Sequence, residues 1–245
     1  MKLLNITLDG EYKGLRSDTF DFSGSQGRLL AFIGLNGSGK SQLLELIGET
    51  FSYLERYMRK DFKVKSTLGF QVSVIYSIIV EDGKSVLNYP IGLIPDLDEP
   101  DEQTLKVEIL RSGKVTLSIK KEDTWQPISI EGCQFPIPRL VGYSSGLNEN
   151  LQRSFMKTAV QFYDVMRIRG NRRKELAGEI DEAGVASINQ RYLQRNKHIF
   201  SAPKDYDELN NLHLLKESDT PIPRNLFMDY DCCALLMVAF SILPS

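Results

Sequence analysis

The chain has 245 residues, of which 30 are Lys or Arg and 32 are Asp or Glu, so its formal net charge is −2. Hydrophobic residues make up 42% and charged residues 25%, a composition that excludes disorder as the main state. The near-neutral charge argues against a protein that coats nucleic acid or membrane with its whole surface. It leaves a local basic face open.

The cysteines and the apolar runs indicate a cellular compartment. Cys133, Cys232 and Cys233 form neither a CxxC pair nor a Cys/His ligand set, so neither a disulfide framework nor a zinc site is expected. Residues 1–10 lack the apolar run of a signal peptide, and the apolar stretch 232–243 is too short for a membrane-spanning helix. We therefore expect a cytoplasmic protein with no membrane partner.

The first fifty residues predict two strands, a buried strand, a loop and a helix. Leu4, Ile6 and Leu8 alternate with polar residues, and Phe20 and Phe22 repeat this pattern, as in half-buried strands. Residues 29–33 are continuously apolar, which predicts a strand buried on both faces. After a Gly-rich loop, apolar residues recur at helical spacing: Leu43, Leu44, Leu46, Ile47, Phe51 and Leu54.

Residues 68–130 predict an antiparallel meander within an α/β lobe that spans residues 1–148. Apolar residues alternate in three segments of this region, and turn sequences at 81–84 and 112–113 separate them. We expect this region to form an antiparallel β subdomain with a long acidic loop at 95–103.

The second half of the chain predicts mainly helix. A short strand over 136–143 leads into the loop 144–148, and residues 149–215 form a predicted helical insert. Its first helix has an apolar face made by Leu151, Phe155, Ala159, Phe162 and Met166. Residues 216–245 are expected to begin the return to the core, with a strand end and then a buried helix over 226–243.

Residues 34–41 read Gly-Leu-Asn-Gly-Ser-Gly-Lys-Ser and match the phosphate-binding motif GxxxxGK[ST] at every position. Glycines at 37 and 39 allow the positive φ and the close approach to phosphate that such a loop needs. The backbone amides and the helix N-terminus then favour an anion. Lys40 would reach the β- and γ-phosphates, and the Ser41 hydroxyl would bind Mg²⁺. The predicted nucleotide-binding residues are Gly34, Asn36, Gly37, Ser38, Gly39, Lys40, Ser41 and Gln42. The lobe of residues 1–148 is therefore expected to be the nucleotide-binding lobe.

The segments MKLLNITLDGEYKGLRSDTFDF and LLAFIGLNGSGKSQLLELI resemble the N-terminal lobe of SMC/ABC-type ATPase heads. Within that group GEYKGL, GLNGSGKSQLLELI, DFKV and VGYSSGLNENL together resemble the PtuA-like, restriction-associated AAA/ABC-type ATPases of Septu and retron antiphage defence systems. The resemblance covers most of residues 1–165. It implies an α/β P-loop NTPase of SMC/ABC head type, with an antiparallel β subdomain and a helical insert, that uses ATP and Mg²⁺.

The resemblance also implies partners and a role. Two heads would close around ATP, which makes the protein a homodimer or a higher oligomer. The nucleotide state would then gate a PtuB-like HNH nuclease subunit, in some systems together with a retron reverse transcriptase and its DNA.

Two alternative functions stay open. One is an SMC-like ATPase of DNA repair or chromosomes that binds DNA directly, although sustained coiled-coil heptads are not seen. The other is a nucleotide-dependent scaffold that does not hydrolyse ATP.

Three segments resemble the catalytic motifs that such heads also need, namely the Walker B strand end and the signature sequence. Asp96–Pro100 spells an acidic Walker-B-like end, but Pro95 and Asp96 interrupt the strand before it, which favours an acidic loop. Ser144–Asn148 weakly resembles a signature sequence and is interpreted as a strand-to-helix loop near the γ-phosphate. Phe227–Asp231 is interpreted as a helix N-terminus with Asp at the cap. Walker B and signature residues are thus not identified, and we expect a longer ATPase of which this chain alone is inactive.

Two weaker clusters also have candidate functions. Five cations lie within eight residues, and they predict either a solvated helix end or a contact with nucleic acid or an acidic partner. They are Arg167, Arg169, Arg172, Arg173 and Lys174. His198, Asn210, Asn211 and His213 could suggest an HNH nuclease, but two histidines at arbitrary spacing do not make a ligand set. These histidines are expected to be surface or packing residues.

Overall fold

The computed structural model describes residues 1–25, 30–58, 63–64, 67–81, 84–85, 101–128, 138–144, 149–178, 181–197 and 222–228. These ranges contain nine strands and three helices, so the fold is α/β. The strands are β1 (Lys2–Gly10), β2 (Asp18–Asp21), β3 (Phe70–Glu81), β4 (Lys84–Ser85), β5 (Asp101–Ile109), β6 (Val115–Lys121), β7 (Thr124–Ile128), β8 (Val141–Tyr143) and β9 (Leu226–Met228). The helices are α1 (Lys40–Met58), α2 (Glu149–Leu176) and α3 (Glu182–Asn196). None of them is long and apolar enough to cross a membrane.

The chain divides into two compact units, Met1–Leu54 with Lys65–Leu140 and Glu55–Val64 with Val141–Ser245. The first unit contains an antiparallel sheet in the order β2-β1-β3-β5-β6-β7, with β4 paired to the end of β3. Its core includes a row of buried side chains in register across four strands. Because neighbouring residues on one face of a sheet pack directly, this row fixes the strand register. The row consists of Ile6, Val74, Val107 and Leu117.

The part of α1 in the first unit contributes its apolar face to the core. Leu46, Phe51 and Leu54 are fully buried, and the Phe51 ring meets Tyr76 of β3 edge to face with centroids 5.7 Å apart. The Tyr53 hydroxyl donates a hydrogen bond of 2.8 Å to the carbonyl of Gly113. The spacing of apolar residues correctly predicted both this helix and its start near Lys40.

The predicted meander is confirmed in the described residues. Glu81 pairs with Lys84 across the first turn, and Gly113 has φ of +74° in the second. Three residues of the predicted acidic loop, 101–103, belong instead to β5. The meander also continues the first strands of the chain, because β3 pairs along its length with β1.

The strands at the two ends of this sheet are β2 and β7. β7 is largely exposed and contains Pro127, which lies opposite Ser118 of β6. Proline has no N–H to donate to a ladder, so it is found in sheets mainly at edges. The ammonium of Lys106 lies 5.8 Å from the ring centroid of Trp125 on β7.

The prediction of a buried strand over residues 29–33 is wrong for the residues described. Residues 30–33 have no strand structure, and the Ile33 side chain is 94% exposed. A strand that is buried on both faces needs a neighbour to complete its hydrogen bonds. Within the described ranges no strand pairs with this segment, so its apolar pattern alone does not produce a buried strand.

The second unit contains the parallel pair β8 and β9. Gly142 of β8 is needed here because a Cβ would lie within 3.0 Å of ring atoms of Phe155 on α2 and Phe227 on β9. The short strand predicted over 136–143 is confirmed at Val141–Tyr143. The strand end predicted at the start of 226–243 is confirmed at Leu226–Met228, which pairs in parallel with β8. The predicted helix N-terminus with Asp at its cap falls on residues 229–231, outside the described ranges.

Two helices of the predicted insert are confirmed, whereas residues 198–215 lie outside the described ranges. Asp181 caps α3, and its side chain accepts a 2.8 Å hydrogen bond from the amide of Gly184. Val165, Ile168 and Tyr192 form the buried cluster between α2 and α3. Elsewhere in this unit the buried Glu55 carboxylate accepts hydrogen bonds from the backbone amides of Arg224 and Asn225.

Candidate phosphate-binding loop

The loop that matches the phosphate-binding motif lies at the surface and leads directly into α1. Residues 34–38 are exposed, and α1 begins at Lys40. Gly37 has φ of +83° and Gly39 has φ of +88°, the left-handed conformation that was expected of both glycines. The backbone therefore takes the turns that the motif needs before the helix starts.

The Lys40 side chain folds back into the loop. Its ammonium donates hydrogen bonds of 2.8 Å to the Gly34 carbonyl, 2.7 Å to the Leu35 carbonyl and 3.1 Å to the Ser38 hydroxyl. An ammonium has three donors, and three oxygen acceptors surround it here. Oxygens of a phosphate are stronger acceptors than neutral carbonyls because they are charged. The cation is thus held at the place where an incoming phosphate would compete for it.

The first turn of α1 adds further positive potential. It contains no Asp or Glu, so the partial positive charge of the helix N-terminus is not neutralised locally. The exposed Ser41 lies in this turn with Gln42. Unpaired backbone amides at a helix start bind anions, and this potential would favour phosphate at the loop.

A turn between β1 and β2 lies against the loop, and the sequence patterns gave no indication of this contact. A Cβ on Gly39 would lie 2.7 Å from a methyl carbon of Leu15, which shows how closely the two segments approach. Lys13 forms an ion pair of 2.7 Å with Glu45, whose side chain is nearly buried in α1. This pairing neutralises the acid nearest to the loop in the sequence. Gly10 and Gly14 at this turn have φ of +112° and +90°. Glycines are common where the backbone needs a positive φ, so these two residues are the feature of the sequence that indicates a turn here.

The predicted nucleotide-binding residues lie partly in the loop, at residues 34–39, and partly in the first turn of α1, at residues 40–42. Among the described residues there is no group of three or more His, Cys, Asp or Glu that could hold a metal ion. Mg²⁺ at the phosphates of a nucleotide keeps several waters and takes only one or two protein ligands, so it does not require such a group. The donor set of Lys40, Ser41 and the loop amides therefore fits a Mg²⁺-nucleotide.

The five-cation cluster divides between the interior and the surface of α2. Arg169 and Arg172 are buried, whereas Arg167 is exposed and pairs with Asp164 at 2.9 Å. Arg173 and Lys174 lie exposed in the last turn of α2, where cations favour the helix dipole. The interpretation as a solvated helix end therefore holds for Arg173 and Lys174, but it does not hold for the buried Arg169 and Arg172.

Several predicted features lie outside the described residues. They are Asp96–Pro100 with Glu99, residues 145–148 of the signature-like loop, Asp229–Asp231, the three cysteines, and His198, Asn210, Asn211 and His213. The structure therefore describes the phosphate-binding candidate and the basic helix, but not the candidate acidic ends.

The chain was compared with known proteins. No protein-family model matches it, and a search of curated proteins finds no match. The functional argument therefore depends on the residues of this chain and on the resemblance of its motifs.

Proposed function

We propose that the protein binds ATP with Mg²⁺ at residues 34–41 and hydrolyses it as the ATPase subunit of an antiphage defence complex. The observation that carries the ATP-binding part is the position of the Lys40 ammonium. It lies inside a loop with two positive-φ glycines, directly before a helix whose first turn contains no acid. These features favour a polyphosphate over an uncharged ligand.

Each residue of the loop has a defined task in this proposal. Lys40 exchanges its carbonyl partners for oxygens of the β- and γ-phosphates, and the amides of residues 36–40 bind the same phosphates. The Ser41 hydroxyl is a ligand of Mg²⁺, which supplies charge neutralisation between the phosphates when it is bound. Gly37 and Gly39 keep the backbone close to the ligand because they carry no side chain.

The wider role follows from the resemblance of the motifs. Two copies close around ATP as a homodimer or within a higher oligomer, so that the nucleotide controls the geometry of the assembly. A PtuB-like HNH nuclease subunit responds to that geometry in the cytoplasm, together with a retron reverse transcriptase and its DNA in some systems. In this proposal the P-loop NTPase of SMC/ABC head type is the finer description of the observed α/β fold.

An SMC-like ATPase that binds DNA directly is the alternative favoured by one observation, the basic character of α2. In that case DNA should stimulate ATP turnover without a nuclease partner. A scaffold that binds nucleotide without hydrolysis would show ATP binding and no turnover even with all partners present. Assays of turnover with DNA and with the nuclease subunit, each added separately, distinguish the three functions.

Titration calorimetry with Mg²⁺-ATP tests the binding proposal. Lys40→Ala removes the cation from the loop, so ATP affinity should fall at least about tenfold, which corresponds to about 1.4 kcal/mol. Lys121→Ala is the matched control, because Lys121 is an exposed lysine on β6. ATP affinity that is equal in wild type and Lys40→Ala would contradict the assignment.

A second variant separates the metal from the nucleotide. Ser41→Ala should lower the affinity for ATP in the presence of Mg²⁺ and change it little when EDTA is present, because the hydroxyl acts through the metal. An equal loss under both conditions would assign Ser41 a role in the loop structure and not in metal binding.

A further inference from the structure

A groove between α2 and α3 has no task in the proposed ATPase function. It has a volume of about 230 Å³ and is lined by residues from both helices. Its lining includes four arginines, Arg167, Arg172, Arg191 and Arg195, against a single carboxylate, that of Glu175. The sequence pattern connected Arg167 with Arg172 on α2, but it did not connect them with Arg191 and Arg195, which lie on α3.

Arg172 is the buried cation of this groove. Its side chain lies over the ring of Tyr192, with 5.0 Å between the guanidinium carbon and the ring centroid. Burial lowers the pKa of Arg172, and the charge of Arg169 lowers it further, against the opposing effect of Tyr192. Within the described ranges no Asp or Glu forms an ion pair with Arg172. A buried cation is costly unless an anion accompanies it, and the groove is open to an anion from solution.

The other arginines add charge that the described residues neutralise only in part. Arg191 approaches Glu175 at 3.4 Å, and Arg167 pairs with Asp164 outside the groove lining. Arg195 follows Arg191 by four residues, so the two cations lie on the same face of α3 and repel each other. An anion between the helices would relieve this repulsion.

The size and the surroundings of the groove indicate which anion it takes. Its volume lies below the range of about 300–1,000 Å³ that is typical for small-molecule sites, which favours one or two phosphate groups over a whole nucleotide. Tyr163 is 70% exposed and lies one helical turn before Arg167, on the same face of α2. Tyr163 lies outside the groove lining, next to its Arg167 end. An exposed aromatic ring close to a positively charged groove is typical of proteins that bind single strands.

The net charge of the segment that contains α2 and α3 also favours an anionic ligand. Residues 149–197 contain ten Lys or Arg and six Asp or Glu, although the complete chain has a net charge of −2. A local excess of positive charge in a chain that is otherwise acidic favours a polyanionic ligand at this site.

We propose that the groove between α2 and α3 binds the phosphate backbone of a single-stranded nucleic acid. Arg172, Arg191 and Arg195 contact the phosphates, and Tyr163 stacks on a base. This site does not depend on ATP bound at residues 34–41, and its test is independent of the one for the phosphate-binding loop.

The test uses the full 245-residue chain and fluorescein-labelled DNA and RNA single strands of mixed sequence, about 20 nucleotides long to exceed one site. Fluorescence anisotropy gives the affinity at several salt concentrations. Arg191→Ala/Arg195→Ala should weaken binding about tenfold or more and reduce the slope of log K against log salt by about 1.4, since each phosphate contact on a single strand contributes about 0.7. Both side chains are exposed, so the variant should keep its melting temperature.

The matched control is Arg173→Ala/Lys174→Ala, which removes the same charge from the same helical pair outside the groove lining. It should weaken binding less than about threefold. Tyr163→Ala should weaken binding about fivefold or more and leave the salt slope unchanged, because stacking releases no counterions. Binding of Mg²⁺-ATP should be equal in all of these variants.

Three results would overturn the proposal. The first is an equal loss in the groove variant and its control, or no loss in either. The second is tighter, groove-dependent binding of a DNA duplex of the same length. The third is displacement of the oligonucleotide by a polyglutamate peptide at equal charge concentration, which would assign the groove to an acidic protein partner.

Discussion

Gly39 is restricted twice, by its backbone conformation and by its neighbour. Its φ of +88° disfavours any residue with a Cβ, and the Leu15 side chain fills the space that a Cβ would need. Gly37 has almost the same φ, but a Cβ there would meet nothing within 4 Å. Substitutions at Gly37 and Gly39 can therefore distinguish the cost of backbone strain, which both share, from the cost of a steric contact, which only Gly39 has.

We expect Gly39→Ala to lower the free energy of unfolding by more than Gly37→Ala does. Each substitution places alanine in the left-handed region, at a cost of about 1–2 kcal/mol. Gly39→Ala must in addition move the terminal methyl of Leu15, which adds a smaller cost because this end of the side chain can rotate. Urea denaturation followed by circular dichroism measures the difference. Equal losses would mean that the turn does not pack on the loop as described.

Tyr76 gives the sheet a defined pH dependence. The residue is fully buried in β3, and burial raises the pKa of its hydroxyl above the ordinary value of 10.0. The pKa of this hydroxyl is higher in the folded state than in the unfolded state. The stability of the fold is therefore unaffected below pH 10, and it falls above pH 10 because only the unfolded state loses the proton. Above pH 10 this group should lower the free energy of unfolding by up to about 1.4 kcal/mol per pH unit.

Urea denaturation at several pH values between 7 and about 11 tests this expectation against the ordinary tyrosine pKa near 10. Tyr76→Phe should show a shallower decline in stability than wild type, whatever its stability at pH 7. Tyr163→Phe, which changes an exposed tyrosine, is the control and should decline as wild type does. Parallel curves for all three proteins would contradict a buried, neutral Tyr76.

At the scale of the element, the segment before the phosphate-binding loop differs most from its predicted structure. Ile33→Ala should change the free energy of unfolding by no more than about 0.5 kcal/mol, because the side chain is exposed. Leu46→Ala, the buried control in α1, should cost about 2–5 kcal/mol. A loss of that size for Ile33→Ala, measured by urea denaturation, would restore the buried strand predicted from the sequence.

Elements whose signals are local were predictable, and those that depend on distant partners were not. The alternation in β3, β5 and β6 and the start of α1 at Lys40 follow from side-chain periodicity and turn residues. The pairing of β1 with β3 joins segments about seventy residues apart, which no local pattern encodes. Residues 30–33 have a strand-like composition without a strand beside them in the described ranges.

The same distinction holds for the candidate sites. The motif at residues 34–41 predicted the two positive-φ glycines of the loop and the helix that follows it, because these features depend on consecutive residues. The Leu15 contact and the ion pair of Lys13 with Glu45 could not be read from it. The basic helix was visible as a charge run, but its groove needs Arg191, Arg195 and Tyr192, which only packing of α3 on α2 brings near.

For the whole molecule, we predict that the 245-residue chain binds ATP and turns it over no faster than about 10⁻³ per second, as P-loop proteins do without added catalytic groups. Lys40 and Ser41 serve one side of the triphosphate, and Glu45 is occupied by Lys13. A water molecule must also be oriented by a carboxylate, and charge must be stabilised on the far side. Mg²⁺-dependent phosphate release is the measurement.

The variant Glu99→Gln makes this prediction decisive. Turnover near one per second, typical of assembled phosphoryl-transfer enzymes, that is abolished by Glu99→Gln would place the catalytic carboxylate in the segment interpreted as an acidic loop. Turnover that is equally low in both proteins would agree with a catalytic site that requires partner subunits. Lys40→Ala should abolish the residual activity in either case.

The exposed strand β7, at one end of the described sheet, also affects whether copies of this protein associate at high concentration. A sheet edge is a template on which a second chain can add a strand, and repeated addition leads to fibres. Pro127 removes one backbone donor from that template, so an added strand would gain an incomplete ladder. We expect Pro127→Val to increase concentration-dependent light scattering and thioflavin fluorescence, while Thr124→Val, on the same strand, should change them less. We therefore expect this proline to limit strand addition at the β7 end of the described sheet.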